Sequence, residues 1–256
     1  MEHTLDLQKI ERSFSNAAMA YDRCAKSHPY IAKKLVSLLP EHVENILELG
    51  CGTGILTELL CSKYPQANIT AIDISKKMIE QCKKRCNCRN ISLLTASAEE
   101  FQPNKNFDLI VSSNSFHWFL DKETVSKNIR QSLVPGGKFA IAMGIRGIFS
   151  ELHTIYEEIK GNPLAHLWNE KECREKFSQL SLPMETVIFD SFQMEEPTPW
   201  EVLRSIHGIG AVPRGFSQSL SIGELKKLVR KYSQSHKSKN GVSVTYNIFY
   251  GITEGL

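Results

Sequence analysis

The sequence predicts an α/β fold in which a mostly parallel sheet carries helices on both faces. Between residues 44 and 144, short apolar segments alternate with segments of helical periodicity, which is the order of strands and helices in α/β proteins. The short segments are nearly continuous apolar runs, and parallel strands that are buried on both faces have this composition. A cluster of glycines, "LGCGTGIL", directly follows the first apolar segment and opens a helical one.

Each element of this fold has its own signal in the sequence. Residues 16–39 carry apolar residues at helical spacing, with Asn16 as a capping residue and an interruption near Pro29, and they predict N-terminal helices. Five strands are predicted in "ENILELG", "ANITAIDIS", "ISLLTAS", "FDLIVSSNSF" and "GKFAIAMG". The helices that connect them are predicted in "GILTELLCSKY", "KKMIEQCKKRC" and "TVSKNIRQSL".

Beyond residue 145 the periodicity is weaker. The segment "FSELHTIYEEI" predicts a helix, and "METVIFDSFQM" and "VSVTYNIFYGIT" predict two late strands. Between these strands lies an insertion of helix and loop that contains "LRSIHGIGAVPRG", a stretch rich in glycine and basic residues. We therefore predict one domain over residues 1–256, with a helical cap at 1–42, a sheet core at 43–144 and an insertion at 195–242.

Composition limits the class of protein. Of the 256 residues, 41% are hydrophobic and 23% are charged, which is ordinary for a soluble globular enzyme. The net charge of +3 is too small to indicate nucleic-acid binding. The chain has no apolar run of membrane-spanning length, and "MEHTLDLQKIERSF" lacks the apolar core of a signal peptide. Together with an odd count of seven cysteines, this predicts reduced thiols and a cytoplasmic location.

The glycines of "ILELGCGTGIL" predict a ligand-binding turn, because glycine lets the backbone turn sharply and approach a ligand without a Cβ in the way. Their spacing differs from the GxGxxG of dinucleotide sites and from the P-loop. Glu48 lies just before the turn, where it repels a phosphate and attracts a cation. Asp73 ends the second strand, where a carboxylate accepts both hydroxyls of a ribose. These features fit S-adenosylmethionine better than NAD.

From Glu44 to Gly144 the sequence resembles the class I S-adenosylmethionine-dependent methyltransferases. The shared segments are "ILELGCGTG", "AIDIS", "LTASAEEF", "FDLIVSSNSFHW" and "SLVPGGKFAIA". The resemblance implies a Rossmann-like fold with a seven-stranded sheet, N-terminal helices and a late helical lid, and it implies S-adenosylmethionine as the cofactor. Many members have aspartate at the position of Ser97, where serine keeps a hydrogen-bonding group but carries no charge.

The resemblance also implies roles for residues at matching positions. The implied cofactor-binding residues are Glu48, Gly50, Cys51, Gly52, Asp73, Ile74, Ser97, Ala98 and Asn114. The resemblance implies that Glu48, Gly50 and Gly52 line the methionine part and that Asp73 holds the ribose. Ile74 packs on the adenine, and Ala98 with its neighbours lies at the edge of the adenine. Asn114 ends the fourth strand, where it faces the transferring methyl group.

Segments towards both ends of the chain indicate a more specific family within these methyltransferases. "FSNAAMAYDRCA", "HW" at 117–118, "LRSIHGIGA" and "VTYNIFYGI" occur together, and this combination resembles the malonyl-[acyl-carrier protein] O-methyltransferases of biotin synthesis. The resemblance implies methyl transfer from S-adenosylmethionine to the free carboxylate of a malonyl thioester. The thioester is carried by acyl carrier protein, or by coenzyme A, and the product is the methyl ester that primes pimeloyl synthesis.

The implied reaction asks little of side chains. A carboxylate with a pKa of about 4 is already ionised at neutral pH, so no general base is required. A carboxylate and a sulfonium lose their charges in the transition state, and a closed, dry site therefore favours the reaction. We expect aromatic and apolar walls with one or two orienting donors.

The implied catalytic residues are Tyr21, His117, Trp118 and Arg204, and the implied substrate-binding residues are Arg204 and His207. An arginine binds a carboxylate through two parallel hydrogen bonds, although Arg204 on a surface helix also fits an ion pair or a cap. The glycines nearby would let the insertion close as a lid. Arg214 is expected to be a solvated loop charge or a contact with the carrier protein.

The residues outside the insertion have alternative interpretations too. Tyr21 either contacts the cofactor carboxylate or the acceptor, or packs in the core with a solvated hydroxyl. Trp118 is expected to form part of the dry wall of the site. His117 is more typical of a packing residue than of an acid or base, since this reaction needs neither.

Two basic runs are candidates for contact with an acidic carrier protein. Residues 76–89 contain six Lys or Arg and one acid, and residues 226–239 contain six and no acid. Such clusters attract acidic partners and speed their encounter. The alternative is a solvated helix face, which we favour for the first run. The second run lies in the insertion, nearer the expected acceptor entrance.

Other functions and sites remain open or unsupported. Cys82, Cys86 and Cys88 lack the spacing of a zinc site, so we predict no metal, and the first two are expected on one partly buried helix face. The alternative functions are methylation of another small carboxylic acid and a non-catalytic methyltransferase-like binding protein. The sequence does not indicate an oligomeric state.

Overall fold

The computed structural model describes residues 6–103, 106–163, 167–211 and 220–256. In these residues seven strands form one sheet, and they are β1 (Asn45–Leu49), β2 (Asn68–Asp73), β3 (Ile91–Thr95), β4 (Phe107–Ser113), β5 (Leu133–Gly144), β6 (Met184–Glu196) and β7 (Val242–Thr253). Their spatial order is β3-β2-β1-β4-β5-β7-β6. The first five strands are parallel, whereas β7 runs antiparallel to both β5 and β6. The predicted α/β fold with a mostly parallel seven-stranded sheet is therefore confirmed.

Helices cover both faces of the sheet. The described helices are α1 (Leu7–Ala17), α2 (Tyr21–Cys24), α3 (His28–Leu38), α4 (Ile55–Lys63), α5 (Lys76–Arg85), α6 (Lys122–Ser132), α7 (Ser150–Lys160), α8 (Glu170–Gln179), α9 (Pro199–Gly208) and α10 (Ile222–Ser235). Side chains alternate across a strand, so Ala140 and Ala142 of β5 face a core with α3, α4, α7 and α10. Phe139 and Ile141 face a second core with α6 and α8.

The N-terminal helices differ from the sequence prediction. The first helix begins after Asp6, whose side chain accepts a hydrogen bond from the backbone N–H of Lys9, and Asn16 lies in its last turn instead of capping it. The prediction was wrong because Leu7, Ile10, Phe14 and Ala17 already recur at helical spacing on one face of this helix, a signal that the choice of Asn16 as the cap overlooked. The interruption falls before α3, where Pro29 occupies the first turn, a position that tolerates a missing N–H.

The late part of the chain contains the two predicted strands and more helix than its periodicity indicated. Asn169 and Glu172 form a capping box at the start of α8, and Ser221 and Glu224 form another at the start of α10. Both boxes satisfy amide donors that a helix start otherwise leaves without partners. None of the described helices has the length and apolarity that crossing a membrane requires.

The cysteines depart from the expectation of free thiols in one respect. Cys61 at the end of α4 and Cys88 before β3 are joined by a disulfide, with their Cα atoms 6.1 Å apart. The expectation of reduced thiols is therefore wrong for these two residues. Cys82 and Cys86 lie on one face of the end of α5, as predicted, and both are buried rather than partly buried.

Candidate active site

The carboxyl ends of the parallel strands meet at one edge of the sheet, where they open onto a cleft. Glu48 lies near the end of β1, Asp73 ends β2, and Asn114 directly follows β4. All three line the cleft, together with Ile74 and Ala98. Ligands of open α/β sheets bind at this edge, because the loops that leave the strands surround it. We call this space the cofactor cleft.

The glycine turn forms the floor of the cofactor cleft. Gly50 has a φ of +73° and Gly52 a φ of +55°, which are left-handed values that residues with a Cβ rarely adopt. A Cβ on Gly50 would lie 1.8 Å from Oγ of Ser115, so the loop after β4 passes too close for any side chain. A Cβ on Gly52 would meet no atom within 4 Å, because it would point into open space. Gly50 thus serves packing, and Gly52 leaves room for a ligand.

Asp73 is fixed by the backbone of the glycine turn. Its Oδ2 accepts a hydrogen bond from the backbone N–H of Gly52 at 2.9 Å, and its Oδ1 accepts one from Ser75 at 2.8 Å. Burial nevertheless raises the pKa of Asp73 to about 6, although these two hydrogen bonds act in the opposite direction. The carboxylate is therefore oriented before any ligand arrives.

Glu48 is a buried carboxyl group beneath the same turn, with 1% of its surface exposed. Its Oε2 accepts a hydrogen bond from Oγ1 of Thr57 at 2.7 Å. Burial raises the pKa of Glu48 to about 8, so the group is largely protonated at neutral pH in the absence of a partner. A cation in the cleft favours the ionised form, which suits a ligand with a positively charged end.

The remaining predicted cofactor-binding residues also line the cofactor cleft. Cys51 and Ser97 are buried, and Oγ of Ser97 accepts a hydrogen bond from the backbone N–H of Glu100 at 3.2 Å. The cleft therefore combines the carboxyl groups of Glu48 and Asp73, with Glu99 also in its lining, a bare glycine floor and apolar side chains. This donor set fits S-adenosylmethionine, which has a cationic end, a ribose and an adenine. The individual contacts stay predictions.

A second, larger cavity adjoins the cofactor cleft, and we call it the acceptor cavity. The two spaces share a wall, which we call the boundary wall, formed by Phe14, Tyr21, His28, Asn114 and Trp118. The rest of the acceptor cavity is mainly apolar and aromatic, with Met143, Ile148, Phe149, Trp168, Ile206 and Ile209 among its lining. Of the described residues that line it, Lys122 is the one lysine or arginine.

Asn114 connects the two spaces through an unusual backbone conformation. Its φ is +53°, in the left-handed region, and its backbone N–H donates to the carbonyl of Ala142 at 2.8 Å. Asparagine tolerates this region better than most residues, and such conformations concentrate at functional sites. The turn carries the chain from β4 into the loop that presents Trp118, whose ring meets that of Phe14 edge-on with centroids 5.5 Å apart.

Tyr21 contacts a residue that the sequence did not single out. Its hydroxyl lies 3.3 Å from Nδ1 of His28, and the two ring centroids are 5.6 Å apart. Burial is the main cause of both pKa shifts, raising that of Tyr21 and lowering that of His28 to about 4. Phe14 and His28 were missed because a lone aromatic or histidine in a helical segment carries no motif. Their position beside Tyr21 in the N-terminal cap was the one available signal.

The structure separates the other implied catalytic residues. Trp118 is on the boundary wall, whereas His117 lines only the acceptor cavity and not the cofactor cleft. Arg204 lies on α9 with 66% of its side chain exposed and pairs with Glu201, and it lines neither space. His207 on the same helix is exposed too. Their neighbours Ser205 and Ile206 are the ones that reach the acceptor cavity, and Arg214 lies outside the described residues.

The glycines of the insertion serve close packing on the N-terminal cap. A Cβ on Gly208 would lie 2.3 Å from Sγ of Cys24, and a Cβ on Gly210 would lie 3.1 Å from the carbonyl of Ser13. Oγ of Ser13 in turn donates a hydrogen bond to the carbonyl of Gly210 at 2.9 Å. The sequence predicted flexibility for a lid at these positions, but here the absence of side chains lets α9 lie against α1 and α2.

A further contact ties the cap to the glycine turn. Asp22 of α2 accepts a hydrogen bond from Oγ1 of Thr53 at 2.6 Å and pairs with Arg85 of α5 at 2.5 Å. These contacts hold Tyr21, the neighbouring residue, against the edge of the cofactor cleft. The cap is therefore part of the site and not only a cover for the sheet.

Comparisons with known proteins agree with this geometry. A family model described as a methyltransferase domain matches residues 46–137. The chain is similar to the malonyl-[acyl-carrier protein] O-methyltransferase of Priestia megaterium, with 32% identity over 98% of this chain and 98% of that protein. It is also similar to the enzyme of the same name from Acetivibrio thermocellus, with 32% identity over 96% of this chain and 93% of that protein.

A solved structure shares the fold. The phosphoethanolamine N-methyltransferase 2 of Haemonchus contortus, solved with phosphomonomethylethanolamine and S-adenosylhomocysteine, superposes with a TM-score of 0.59 at 17% identity. The match covers 98% of this chain and 60% of that chain. The expectation of an S-adenosylmethionine-dependent O-methyltransferase is confirmed, with S-adenosylmethionine as its cofactor. Since the identity to curated relatives holds over nearly the whole chain, the chain belongs to the malonyl-[acyl-carrier protein] O-methyltransferases.

Proposed function

We propose that this chain transfers a methyl group from S-adenosylmethionine to the free carboxylate of a malonyl thioester on acyl carrier protein, giving a methyl ester. The observation that carries the proposal is the boundary wall. One set of residues, Tyr21, Asn114 and Trp118 among them, borders both the cofactor cleft and the acceptor cavity. A methyl donor on one side and an acceptor on the other would therefore meet at this wall.

The cofactor supplies an electrophilic methyl group on a positively charged sulfur. In this proposal Asp73 accepts hydrogen bonds from the ribose, and Glu48 balances the positive charge of the methionine part. Ile74 and Ala98 pack on the adenine, with Ser97 at its edge. The carboxylate of Asp73 is already aligned by the backbone N–H groups of Gly52 and Ser75, so little reorganisation is needed on binding.

The acceptor side supplies a dry surface and no base. The raised pKa of Tyr21 and the lowered pKa of His28 leave both groups neutral at physiological pH, and neither is suited to remove a proton. This fits an acceptor that is ionised before it binds. Phe14 and Trp118 exclude water from the boundary wall, and Lys122 supplies positive charge to the acceptor cavity.

A basic surface on α10 supports a carrier protein as the partner. Lys226, Lys227, Arg230, Lys237 and Lys239 are exposed on or just after this helix. The helix packs on α7 and α9, both of which line the acceptor cavity. Lys231 pairs with Glu158, so part of the run is neutralised within the chain. The other basic residues remain at the surface, where they would attract an acidic partner.

The test is a methyl-transfer assay with labelled S-adenosylmethionine and three acceptors: malonyl-acyl carrier protein, malonyl-coenzyme A and free malonate. We expect a base-labile methyl ester on the malonyl thioesters, with the carrier-bound form used best. Equal rates on all three would overturn the carrier-protein claim. Methylation of none, with intact cofactor binding by calorimetry, would favour another carboxylic acid or a binding function.

Charge reversal separates the two basic runs. We expect Lys226→Glu with Arg230→Glu to raise KM for malonyl-acyl carrier protein by about tenfold at low salt, while KM for malonyl-coenzyme A changes less than about twofold. The matched control is Lys83→Glu with Lys84→Glu, which reverses two exposed charges of the first run. If the control raises KM for the carrier protein as much, α10 is not the docking surface.

A further inference from the structure

We propose that His28 is a positioning residue, which holds the hydroxyl of Tyr21 so that it donates a hydrogen bond to the carboxylate of the acceptor. The proposal rests on the proposed function, because it assumes an anionic acceptor at the boundary wall. It adds a residue that neither the sequence motifs nor the methyl-transfer chemistry point to. His28 itself does not contact the reacting atoms.

The geometry places both residues where acceptor and cofactor would meet. Tyr21 begins α2 and His28 begins α3, and both line the cofactor cleft and the acceptor cavity. The hydroxyl oxygen of Tyr21 and Nδ1 of His28 are 3.3 Å apart, within hydrogen-bond range. The short helix α2 is fixed at its base by Asp22, which binds both Thr53 and Arg85. The pair therefore has a defined position on the wall.

A neutral histidine can orient a phenol in two ways. If Nδ1 carries the ring proton, it donates to the oxygen of Tyr21, and the hydroxyl proton is free to point away from His28. If Nε2 carries it, Tyr21 donates to Nδ1 and presents only lone pairs to the cavity, which repel a carboxylate. An anionic acceptor at the wall selects the first arrangement. The hydroxyl then binds one carboxylate oxygen and leaves the other oxygen for the methyl group.

The surroundings keep His28 uncharged in this role. The acidic groups near the pair are Asp22, which favours a charged imidazole, and Asp73, which disfavours ionisation of Tyr21. The effect of burial exceeds that of Asp22. A neutral imidazole needs no counter-ion inside an apolar cavity, and it leaves the acceptor carboxylate fully ionised and nucleophilic.

Substitution separates positioning from packing. We expect His28→Phe, which keeps a ring of similar size but removes both nitrogens, to lower kcat/KM for the malonyl thioester by at least about tenfold. His28→Asn places an amide N–H near the position of Nδ1, and we expect it to recover most of that loss. Affinity for S-adenosylhomocysteine, measured by calorimetry, should stay within about twofold in both variants. The control His42→Phe alters an exposed histidine and should leave activity unchanged.

Two further measurements complete the test. Tyr21→Phe should cause a loss like that of His28→Phe, and the double variant should lose little more, because both changes remove one interaction. Nitrogen NMR of histidine-labelled wild-type protein with S-adenosylhomocysteine and malonyl-coenzyme A should show the ring proton of His28 on Nδ1, with the His28→Asn variant assigning the signal.

The outcomes distinguish the inference from the function on which it rests. A wild-type protein that methylates no malonyl thioester would remove the proposed function. Normal wild-type activity with an equally active His28→Phe variant would overturn the positioning role alone. So would a ring proton on Nε2 in the complex, a result that does not depend on the folding of any variant.

Discussion

The cofactor cleft and the acceptor cavity meet at one wall but are formed by different parts of the fold. The cleft is made of strand ends and the loops that leave them, and its key contacts involve backbone atoms of Gly50, Gly52 and Ser75. The acceptor cavity is lined by helices of the N-terminal cap and α9, by single residues of α6 and α7, and by side chains from β5, β7 and the loops near them. The difference teaches that the cofactor cleft recognises its ligand through fixed backbone geometry, while the acceptor cavity encloses its ligand with replaceable side chains.

This contrast predicts a gradient of mutational sensitivity. A change that disturbs the backbone of the cleft has no rotamer to relieve it, so its effect should be large and specific to the cofactor. A change in the acceptor cavity alters one side chain among many in its lining, so its effect should be smaller. It should appear mainly in the kinetics measured with the acceptor.

Gly50→Ala should have the largest effect. The added Cβ meets Oγ of Ser115 at 1.8 Å, and the φ of +73° adds strain. We expect affinity for S-adenosylmethionine, measured by calorimetry, to fall by more than about 100-fold. Gly161→Ala is the matched control, since Gly161 has the same φ of +73° but open space around its Cβ position. Equal loss of affinity in both variants would show that the clash at the turn is not the cause.

Asp73→Asn should have the next largest effect. The amide keeps one oxygen for the backbone N–H groups but loses the charge and half of the acceptor capacity, so we expect affinity for S-adenosylmethionine to fall by about 30-fold. Asp108→Asn is the control, because Asp108 also accepts two backbone N–H groups, those of Glu44 and Asn45, but at the opposite end of the strands. A similar weakening by the control would point to general destabilisation.

Glu48 should make cofactor binding depend on pH. Its pKa of about 8 in the folded chain lies above the ordinary value of 4.5, so its contribution to stability is complete below pH 4.5 and is lost as the pH rises towards 8. A bound cation favours the ionised form, so binding should release protons near pH 7. Affinity should therefore rise by up to about tenfold per pH unit between pH 6 and 8.

Calorimetry in buffers of different ionisation enthalpy measures this proton release directly. Glu48→Gln has no proton to release, so its affinity should follow a flatter pH profile than the wild type. The difference between the two profiles isolates Glu48 from Asp73, whose pKa is raised to about 6 and which titrates in the same direction. Identical proton release by the two proteins would remove Glu48 as the partner of the cation.

Arg204→Ala should have the smallest effect. The exposed pair with Glu201 contributes at most about 1 kcal/mol, and Arg204 reaches neither cavity in this structure. We expect kcat/KM for the malonyl thioester to change by less than about threefold. A loss of tenfold or more, with unchanged cofactor affinity, would restore the contact with the acceptor that the sequence predicted and would mean that α9 moves when the acceptor binds.

The sequence was informative where local rules dominate. The alternation of apolar strands and amphipathic helices identified the sheet, and the left-handed turn at Gly50 to Gly54 was visible as a glycine pattern. Residues such as Glu48 and Asp73 lie at fixed distances from strand ends, so their placement at one edge followed from the fold class. Phe14 lies in a segment that carried the family resemblance, whereas His28 had no such signal, because its role depends on a neighbour in space.

Long-range packing accounts for the differences. The glycines at 208 and 210 predicted a flexible segment, yet each lacks room for a side chain where α9 contacts the N-terminal cap. The sequence predicted Arg204 as a substrate ligand because it is an arginine near a glycine-rich stretch, but its face of α9 is exposed to solvent. Val202 and Ile206 lie one turn apart on α9 and face the core, which leaves Arg204 on the opposite side of the helix.

The amino-acid sequence by itself determined the α/β architecture, the glycine turn and the two carboxylates at the strand ends, because each follows from periodicity or from the backbone freedom of glycine. Only the tertiary structure decided that the N-terminal cap and α9 enclose a second cavity with residues of β5 and β7, and that Tyr21 meets His28 on the wall between the two spaces. The reason is physical: a cavity is defined by side chains far apart in sequence, and their meeting depends on the packing of the whole chain.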